Sequence, residues 1–303
     1  MTACRACGSP TEPFAEAVVL GHVDVDYARC SHCGGVMAED PTWLEEAYTH
    51  AIAKLDVGLL DRCQILGNIT TLVLRAEGLR GGRFLDWAGG YGTLTRMMRD
   101  RGFDFRHSEV YAQNVFADGF EVTDLTGERF DLITAFEVLE HLPDPVASLS
   151  ALAAATDRLL MTTQVLPSPP PRPGEWDYYA LESGQHITFF TREGLEHLAM
   201  RLGFDGVVTS NLVHLFYRGR RPSRTARALV SRPAVGYVLG QLAAVTDRRH
   251  SLTLRDHDAI RSALAERRPG YPVDAAGAGA APVAGSRSPS GEDPPSSGPR
   301  TMS

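Results

Sequence analysis

The chain has 303 residues, which is enough for roughly two folding units. Its net charge is −7, and an acidic chain lacks the positive surface of a general nucleic-acid binder, so we expect no nucleic-acid partner. No apolar run reaches the roughly 18 residues of a membrane helix, and residues 1–7 lack the apolar block of a secretory signal. We therefore expect a cytoplasmic protein without a membrane partner.

Two C-x-x-C pairs open the chain: Cys4 with Cys7, and Cys30 with Cys33 after 22 intervening residues. Four thiolates on two turns match the tetrahedral ligand set of zinc, and four sulfurs leave no open position for catalysis. The alternatives are unligated buried thiols and a redox pair. The pattern predicts a zinc-ribbon-like domain over residues 1–40 that holds structural Zn²⁺ in a reducing compartment.

The next stretch, residues 42–78, has apolar residues three and four positions apart, which predicts helices with a break. From 82 to 217, short apolar runs alternate with helical patterns. We predict strands at 83–87, 103–109, 130–136, 158–163, 204–209 and 212–217, with helices from about 93 to 101 and at 146–155 and 191–202. This alternation predicts an α/β fold with a doubly wound, mostly parallel sheet.

The C-terminal stretch divides into two parts. The pattern over residues 221–269 predicts a helical extension. The sequence does not show what this extension packs against or whether it forms a dimer surface. Residues 270–303 are rich in proline, glycine, alanine and serine and have no periodic apolar face. Such a segment buries too little surface to offset its ordering entropy, so we predict a disordered tail.

A glycine-rich turn follows the first strand of the α/β region, where Asp86 precedes Ala88, Gly89, Gly90 and Gly92. Glycines let the backbone approach a ligand, and the following helix directs free amides towards it. An acid before the turn suits a cationic or hydroxyl-rich ligand better than a pyrophosphate, and the dinucleotide pattern G-x-G-x-x-G is absent.

Two further acids stand in positions that suit a nucleoside. Glu109 ends the second strand 23 residues after Asp86, where doubly wound sheets bind ribose hydroxyls. Asp124 lies in a loop before the third strand, where a carboxylate can accept a hydrogen bond from an adenine amino group. The alternative for both is a solvated acid.

Three segments occur in order along the chain: LDWAGGYG at 85–92, FDLITAFEVLEHLPDP at 130–145 and GQHITFFT at 184–191. Together they resemble the class I S-adenosylmethionine-dependent methyltransferases, in particular small-molecule enzymes with an N-terminal four-cysteine domain. The resemblance implies a Rossmann-like sheet of seven strands, with the cofactor across the C-terminal strand ends. It covers roughly residues 3–217 and places the methyltransferase domain at 79–220, after a helical lid or linker at 42–78.

The resemblance also implies roles for matching positions. Asp86 and the loop 88–92 would line the methionine end of S-adenosylmethionine, Glu109 would hold the ribose, and Asp124 the adenine side. Phe136 and Glu137 would form the floor of the site at the end of the strand predicted at 130–136. One position departs from the family, because Ala88 stands where members usually carry glycine.

Methyl transfer to a hydroxyl or acidic carbon needs alignment and benefits from a general base. His186 is our leading base, because it follows a segment that suits a substrate lid and imidazole titrates near neutral pH. The alternative is that His186 hydrogen-bonds a loop and only shapes the pocket. Glu137 and His141 are further catalytic candidates, although His141 also suits a structural role at the turn before Pro143. Arg62 or Tyr48 could approach the methionine carboxylate.

The lid segment, residues 167–183, carries Trp176, Tyr178 and Tyr179, whose rings suit a sugar or aromatic acceptor. We therefore expect methylation of a small molecule, such as a sugar, a nucleotide-sugar or a natural product. Two alternatives remain: an RNA methyltransferase that uses the basic cluster at 218–224 with Arg227 and Arg232, and a non-catalytic cofactor-binding module. The sequence leaves the acceptor and the oligomeric state open.

Overall fold

The computed structural model describes residues 2–48, 57–246 and 251–267. The chain divides into two units, Met1–His257 and Asp258–Ser303, and the described part of the second, residues 258–267, is helical. The predicted disordered tail lies outside the described residues. Within them, no helix combines the length and apolar character needed to cross a membrane.

An antiparallel sheet of four strands stands at the N-terminus. In sheet order its strands are β1 (Thr11–Val19), β2 (Val23–Cys30), β3 (Val36–Ala38) and β8 (Thr188–Phe189). The fourth strand, β8, comes from a segment that the sequence places in the catalytic region, and it pairs with β3 through Val36 opposite Phe189. The N-terminal sheet is therefore built on the α/β region and is completed by it.

The predicted helical stretch contains α1 (Leu44–Ala47) and α2 (Leu59–Ala76), with residues 49–56 outside the description. Leu66, Ile69 and Val73 recur at helical spacing on α2 and are buried. They pack in one cluster with Phe84 and Phe105 of the main sheet. The apolar periodicity of this stretch thus corresponds to a helix that covers one face of the sheet.

The main sheet has six strands in the described residues. In sheet order they are β5 (Asp104–Ser108), β4 (Arg83–Trp87), β6 (Leu132–Ala135), β7 (Arg158–Thr162), β10 (Val213–Tyr217) and β9 (Gly206–Thr209). The first four are parallel, and β10 runs antiparallel to both its neighbours. The predicted α/β fold class is confirmed. The count of seven is approximate, because beyond β5 only an isolated bridge joins His107 to Glu121.

Helices cover both faces of this sheet, as a parallel sheet requires. They are α3 (Thr93–Asp100), α4 (Pro145–Ala155) and α5 (Arg192–Arg201). Two of them begin at side-chain caps that the sequence carries: Asp144 accepts a hydrogen bond from Ala147 N at 3.0 Å, and Thr191 accepts one from Gly194 N at 2.9 Å. Every residue of β6 and β7 is buried, which explains their continuous apolar runs.

The C-terminal extension consists of α6 (Arg224–Ser231), α7 (Pro233–Thr246) and α8 (Thr253–Arg267). Helices α6 and α7 pack against α2, so this extension adds a second layer over one face of the domain. At the start of α8, the buried Asp256 accepts two hydrogen bonds from the buried Arg99 of α3, at 2.8 and 2.7 Å. The packing partners that the sequence left open are therefore helices of the same chain: α2 for α6 and α7, and α3 for the start of α8.

Candidate active site

The turn after β4 is a bare backbone loop at the carboxyl end of the parallel strands, where doubly wound sheets bind ligands. Gly89 has no room for a side chain, because an added Cβ would lie 2.6 Å from Asp86 Oδ2 and 2.8 Å from His107 Nδ1. Gly90 differs: its φ is +56°, and nothing lies within 4 Å of its Cβ position. The loop therefore presents open backbone at Gly90, and this is where a ligand can approach.

Ala88 adopts φ +54°, a left-handed conformation that favours glycine. The residue that departs from the family pattern thus has a strained backbone conformation. Left-handed backbone costs an L-residue about 1–2 kcal/mol, while glycine loses about 0.5–1 kcal/mol more chain entropy on folding. We expect A88G to raise the free energy of unfolding by up to about 1 kcal/mol in urea titrations.

G90A is the matched variant for this prediction, because it introduces the same methyl group at φ +56° with free space around it. It should lower the free energy of unfolding by about 1 kcal/mol or more. If A88G unfolds at lower urea concentration than the unsubstituted protein, the backbone conformation of Ala88 does not destabilise the fold.

Asp86 lies beneath the loop, with a side chain that is almost fully buried. Its Oδ1 accepts a hydrogen bond from Thr134 Oγ1 of β6 at 2.8 Å, and its Oδ2 accepts one from Thr95 Oγ1 of α3 at 3.1 Å. Burial raises the pKa of Asp86 to about 6, against the hydrogen bonds from Thr134 and Thr95. The carboxylate ties β4, β6 and α3 together; its role at the methionine end of the cofactor stays a prediction.

This pKa predicts a pH-dependent effect of D86N. A carboxyl group with a folded-state pKa above its unfolded value binds its proton more tightly when folded, so its contribution to stability falls as pH rises from about 4 through about 6. The amide does not titrate. Between pH 4 and pH 7, the free energy of unfolding of D86N should therefore gain about 2–3 kcal/mol relative to the unsubstituted protein. Urea titrations at both pH values measure the difference, and the exposed D118N serves as control. A difference independent of pH would contradict the raised pKa.

Glu109 follows β5 and meets the glycine loop. Its Oε2 accepts a hydrogen bond from Gly90 N at 2.8 Å, and its Oε1 accepts from Val110 N and Tyr111 N at 2.8 and 2.7 Å. Asp124 is placed apart: it is exposed, and its Oδ1 accepts from Thr126 N, which lowers the pKa of its carboxyl. The structure thus joins one of the two predicted nucleoside acids to the loop.

Two glutamates occupy the turn after β6, beyond the half-buried Phe136. Glu137 has φ +54°, and its amide donates to Thr162 Oγ1 of β7 at 2.8 Å. Burial, and then the charge of Glu140, raise the pKa of Glu137. Glu140 is fully buried; its Oε1 accepts a hydrogen bond from Tyr178 Oη at 2.5 Å, and its Oε2 has no hydrogen-bond partner among the described residues.

The two predicted histidines lie beside Glu140. The rings of His141 and His186 are 4.8 Å apart and edge-on, and each of the three residues offers a ligand atom within 4.8 Å of the others. Nδ1 of His141 lies 3.0 Å from the Gln185 carbonyl, and Nδ1 of His186 lies 2.7 Å from the Tyr178 carbonyl. A carbonyl only accepts, so each Nδ1 carries the proton and each Nε2 keeps its lone pair. Burial, followed by the charge of His186, lowers the pKa of His141 to about 3.

Sequence reasoning did not select Glu140 for this site. Its one signal was a carboxylate within the apolar run around Leu139, where a charged residue is rarely fully buried without a partner. Glu137, Glu140, His141 and His186 therefore form one polar cluster at the carboxyl ends of β6 and β7, in which Glu140 is buried and the other three are half-buried. The catalytic roles of Glu137, His141 and His186 stay predictions.

The predicted lid folds onto the N-terminal sheet. Tyr178 touches the polar cluster, with its ring 4.5 Å from that of His186. Trp176 is half-buried against Tyr178 at 5.0 Å. Tyr179 is 1% exposed and packs edge-on against Tyr27 of β2 at 5.5 Å, so its ring belongs to the core of the N-terminal sheet. The substrate role predicted for Tyr179 gains no support from this burial, whereas Tyr178 lies beside His186 and Trp176 packs against Tyr178.

The N-terminal sheet directly holds the segment that carries His186. Arg5 donates two hydrogen bonds, to the Ile187 carbonyl at 2.6 Å and to Thr188 Oγ1 at 2.9 Å. Ile187 also donates from its amide to the Glu140 carbonyl at 2.9 Å. The position of His186 between these contacts therefore depends on the N-terminal sheet.

A further aromatic pair lies beside His141 of the cluster. Tyr48, at the end of α1, stacks on Tyr111 at 5.8 Å and lies edge-on to His141 at 6.2 Å. The positive charge of Arg62 on α2 acts to lower the pKa of Glu137, so this guanidinium faces the same cluster. The two residues that the sequence suggested for the methionine carboxylate thus lie near the buried acids and histidines.

The four cysteines come together at the end of the N-terminal sheet that packs against α5, and three of them are buried there. Cys4 Sγ lies 3.6 Å from Cys33 Sγ, and Cys7 Sγ lies 3.4 Å from Cys30 Sγ. All four sulfurs lie within 4.8 Å of one another. The edge of a ZnS₄ tetrahedron with Zn–S bonds of about 2.3 Å is about 3.8 Å, so the arrangement fits zinc.

The predicted basic cluster separates into two groups. Arg218 is tied to the carbonyl of Ala153 at 2.9 Å and to Asp157, and Arg220 pairs with Glu77. Four other arginines line an open groove of about 470 Å³ between β9 and α6, and no described residue of its lining is acidic: Arg221, Arg224, Arg227 and Arg232. Among the described residues, none of these four forms an ion pair.

Comparison with known proteins gives one family match. Residues 62–209 match the family model described as "Methyltransferase domain". No curated protein matches the chain.

Three solved structures illustrate the likeness. CalO1, a methyltransferase in calicheamicin biosynthesis, is 19% identical over 51% of this chain and 54% of its own, with a TM-score of 0.37. Magnesium protoporphyrin IX methyltransferase from Synechocystis PCC 6803 is 18% identical over 59% and 96%, with a TM-score of 0.37. The 1,6-didemethyltoxoflavin-N1-methyltransferase from Burkholderia thailandensis is 18% identical over 58% and 84%, with a TM-score of 0.41. The chain spans about half the length of the first of these. At TM-scores below 0.5, the three likenesses carry no inference about the acceptor.

Proposed function

We propose that this S-adenosylmethionine-dependent enzyme, in which residues 62–209 match the methyltransferase domain, methylates a small-molecule acceptor. The proposal places the acceptor atom, a hydroxyl oxygen or an acidic carbon, beside His186. The observation that carries it is the position of the half-buried glutamate and histidine cluster at the carboxyl ends of β6 and β7, next to the open glycine loop of β4.

The loop and Glu109 suit S-adenosylmethionine. The open side of Gly90 admits a ligand to the backbone, and Glu109 Oε2, with one hydrogen bond from Gly90 N, keeps a lone pair for a ribose hydroxyl. When bound, S-adenosylmethionine supplies an electrophilic methyl group on a sulfonium. The chain's part is to hold the acceptor in line, to exclude water with the Trp176 segment, and to take the acceptor's proton at His186 Nε2.

A small acceptor suits this geometry better than a macromolecule. Tyr178 is buried against His186, and the N-terminal sheet holds the following residues through Arg5. The polar cluster therefore lies behind packed aromatic rings. A compact ligand can there place its hydroxyl groups against the polar side chains and its apolar face against the rings. The acidic net charge of −7 also favours a small molecule over a nucleic-acid chain.

The four-cysteine cluster is proposed to hold one structural zinc ion. Its sulfur separations fit the metal, and backbone amides of His32 and Cys33 donate to Cys30 Sγ at 3.4 Å each, as expected around a thiolate ligand. Four sulfurs complete the coordination, so the ion would stabilise the fold without contacting the acceptor.

Methyl-labelled S-adenosylmethionine, incubated with the protein and a fractionated cell extract, tests the function. Label in the low-molecular-weight fraction supports the proposal and identifies the acceptor by mass. Absence of label from every fraction, combined with millimolar affinity for S-adenosylmethionine in calorimetry, would instead indicate a non-catalytic binding module.

RNA methylation is the second candidate, and the four arginines of the groove between β9 and α6, which form no ion pair with the described part of the chain, favour it. A cluster of guanidiniums can follow phosphates along a strand, and such binding weakens steeply with salt. Label recovered in RNA, together with loss of RNA affinity in R224A, would establish this candidate and overturn the small-molecule acceptor.

A further inference from the structure

Three metal-binding side chains meet on the surface, outside both the active site and the four-cysteine cluster. His32 lies in the turn between Cys30 and Cys33, while Glu193 and His197 lie one turn apart on α5. The Nε2 atoms of His32 and His197 are 3.0 Å apart, and Glu193 Oε1 lies 3.9 Å from His197 Nε2. The three ligand atoms all lie within 4.8 Å of one another.

Hydrogen bonds hold the two sides of this cluster in place. Thr191, the cap of α5, donates from Oγ1 to the Cys33 carbonyl at 2.6 Å and accepts from Gly194 N at 2.9 Å. On the other side, the His32 amide donates to Cys30 Sγ at 3.4 Å. These hydrogen bonds fix the cysteine turn relative to the first turn of α5. Little conformational entropy is therefore lost when the two imidazoles come together.

The separation of the two imidazole nitrogens matches that of two ligands on one ion. Two nitrogens at about 2.1 Å from a metal, at an angle of about 90–110°, lie about 3.0–3.4 Å apart. Imidazole nitrogens with one carboxylate suit late first-row divalent ions such as Zn²⁺, Ni²⁺ and Cu²⁺. The four cysteines fill their own tetrahedron, so His32 is free to serve a different ion.

We propose that His32, Glu193 and His197 form a second metal site for a late first-row divalent cation. Ligands from both sides make this ion a link between the cysteine turn and α5. The site is exposed, with the His197 side chain 28% accessible, so the ion exchanges with solvent and keeps open coordination positions for water. Its occupancy would therefore follow metal availability, unlike that of the closed four-sulfur cluster.

Calorimetric titration of the purified, tag-free protein with Ni²⁺ tests the proposal. We expect one Ni²⁺ per chain, with affinity reduced at least tenfold in H197A and in H32A, and less in E193Q. A zinc-indicator dye, present throughout, should report no zinc released from the cysteines. Ni²⁺ should also raise the melting temperature of the unsubstituted protein but not that of H197A.

H22A is the matched control. His22 is also exposed and lies 3.4 Å from a carboxylate, that of Glu46, so it offers one imidazole and one carboxylate in place of two imidazoles and one carboxylate. Its loss should leave Ni²⁺ affinity unchanged. Equal affinity in the unsubstituted protein, H32A and H197A would overturn the proposal and leave the two histidines as a hydrogen-bonded pair. Variant folding is checked by circular dichroism, and the result does not depend on methyl transfer.

Discussion

Removal of the ion proposed for Cys4, Cys7, Cys30 and Cys33 is expected to unfold the N-terminal sheet and to slow methyl transfer with it. The physical reason is that two strands of the sheet are short, with three residues in β3 and two in β8, so few backbone hydrogen bonds hold this part of the sheet. Structural zinc supplies an apparent binding free energy of about 10–16 kcal/mol in small zinc domains, and that energy becomes folding energy.

Unfolding of the N-terminal sheet should disturb the active site through the hydrogen bonds that join the two. Ala38 of β3 donates from its amide to the Ile187 carbonyl at 2.9 Å, and Arg5 donates to the same carbonyl. When the sheet opens, these bonds break and His186, one residue earlier, loses its support. Loss of activity should therefore accompany loss of the sheet.

C7S provides the test without a chelator, and C63S on α2 is the matched control because Cys63 lies outside the cluster. Protein purified in reducing, chelator-free buffer should contain about one zinc per chain by elemental analysis, and C63S should keep it. In C7S, hydrogen exchange at residues 11–38 should accelerate sharply. Absence of zinc from the unsubstituted protein would refute the structural-zinc proposal.

Replacement of His186 is expected to lower kcat for methyl transfer by about 10²–10⁴-fold, the usual contribution of a general base. Its Nδ1–H donates to the Tyr178 carbonyl, which leaves Nε2 with a lone pair for the acceptor's proton. His141 is less suited, because its lowered pKa of about 3 makes it a poor proton acceptor. H141A should therefore reduce kcat less than H186A.

H186N separates proton transfer from positioning. The asparagine amide can donate to the Tyr178 carbonyl in place of Nδ1–H, which preserves the contact but provides no basic nitrogen. If His186 is the base, H186N and H186A should lose kcat equally, with little change in KM for S-adenosylmethionine. If H186N retains near-normal kcat, His186 holds the loop and another group takes the proton.

The α/β region could be predicted from sequence in some detail. The strand expected at 83–87 coincides with β4, and the helix expected at 191–202 matches α5 within one residue at each end. Buried parallel strands read as continuous apolar runs, and side-chain caps mark helix starts, so both signals are local. The cysteine spacing likewise indicated the ligand set that the structure brings within 4.8 Å.

The strained residue and the buried acid needed the structure. Ala88 stood out in sequence only as a departure from glycine, and the φ of +54° explains why glycine is usual there. Glu140 resembled any helix acid until its burial beside Tyr178 and His186 was visible. A single residue type does not reveal its own backbone angle or its solvent exposure.

The methyltransferase motifs, the glycine turn and the order of the α/β elements can be recognised in the sequence, because each depends on residues close together in the chain. The pairing of β8 with the N-terminal sheet and the packing of α6 and α7 on α2 become visible only in the folded chain. A two-residue strand is too short to show a period, and its partner β3 lies about 150 residues away. Such pairing is selected by the packing of the whole domain, since the free energy that favours it comes from surfaces that only the folded chain brings together.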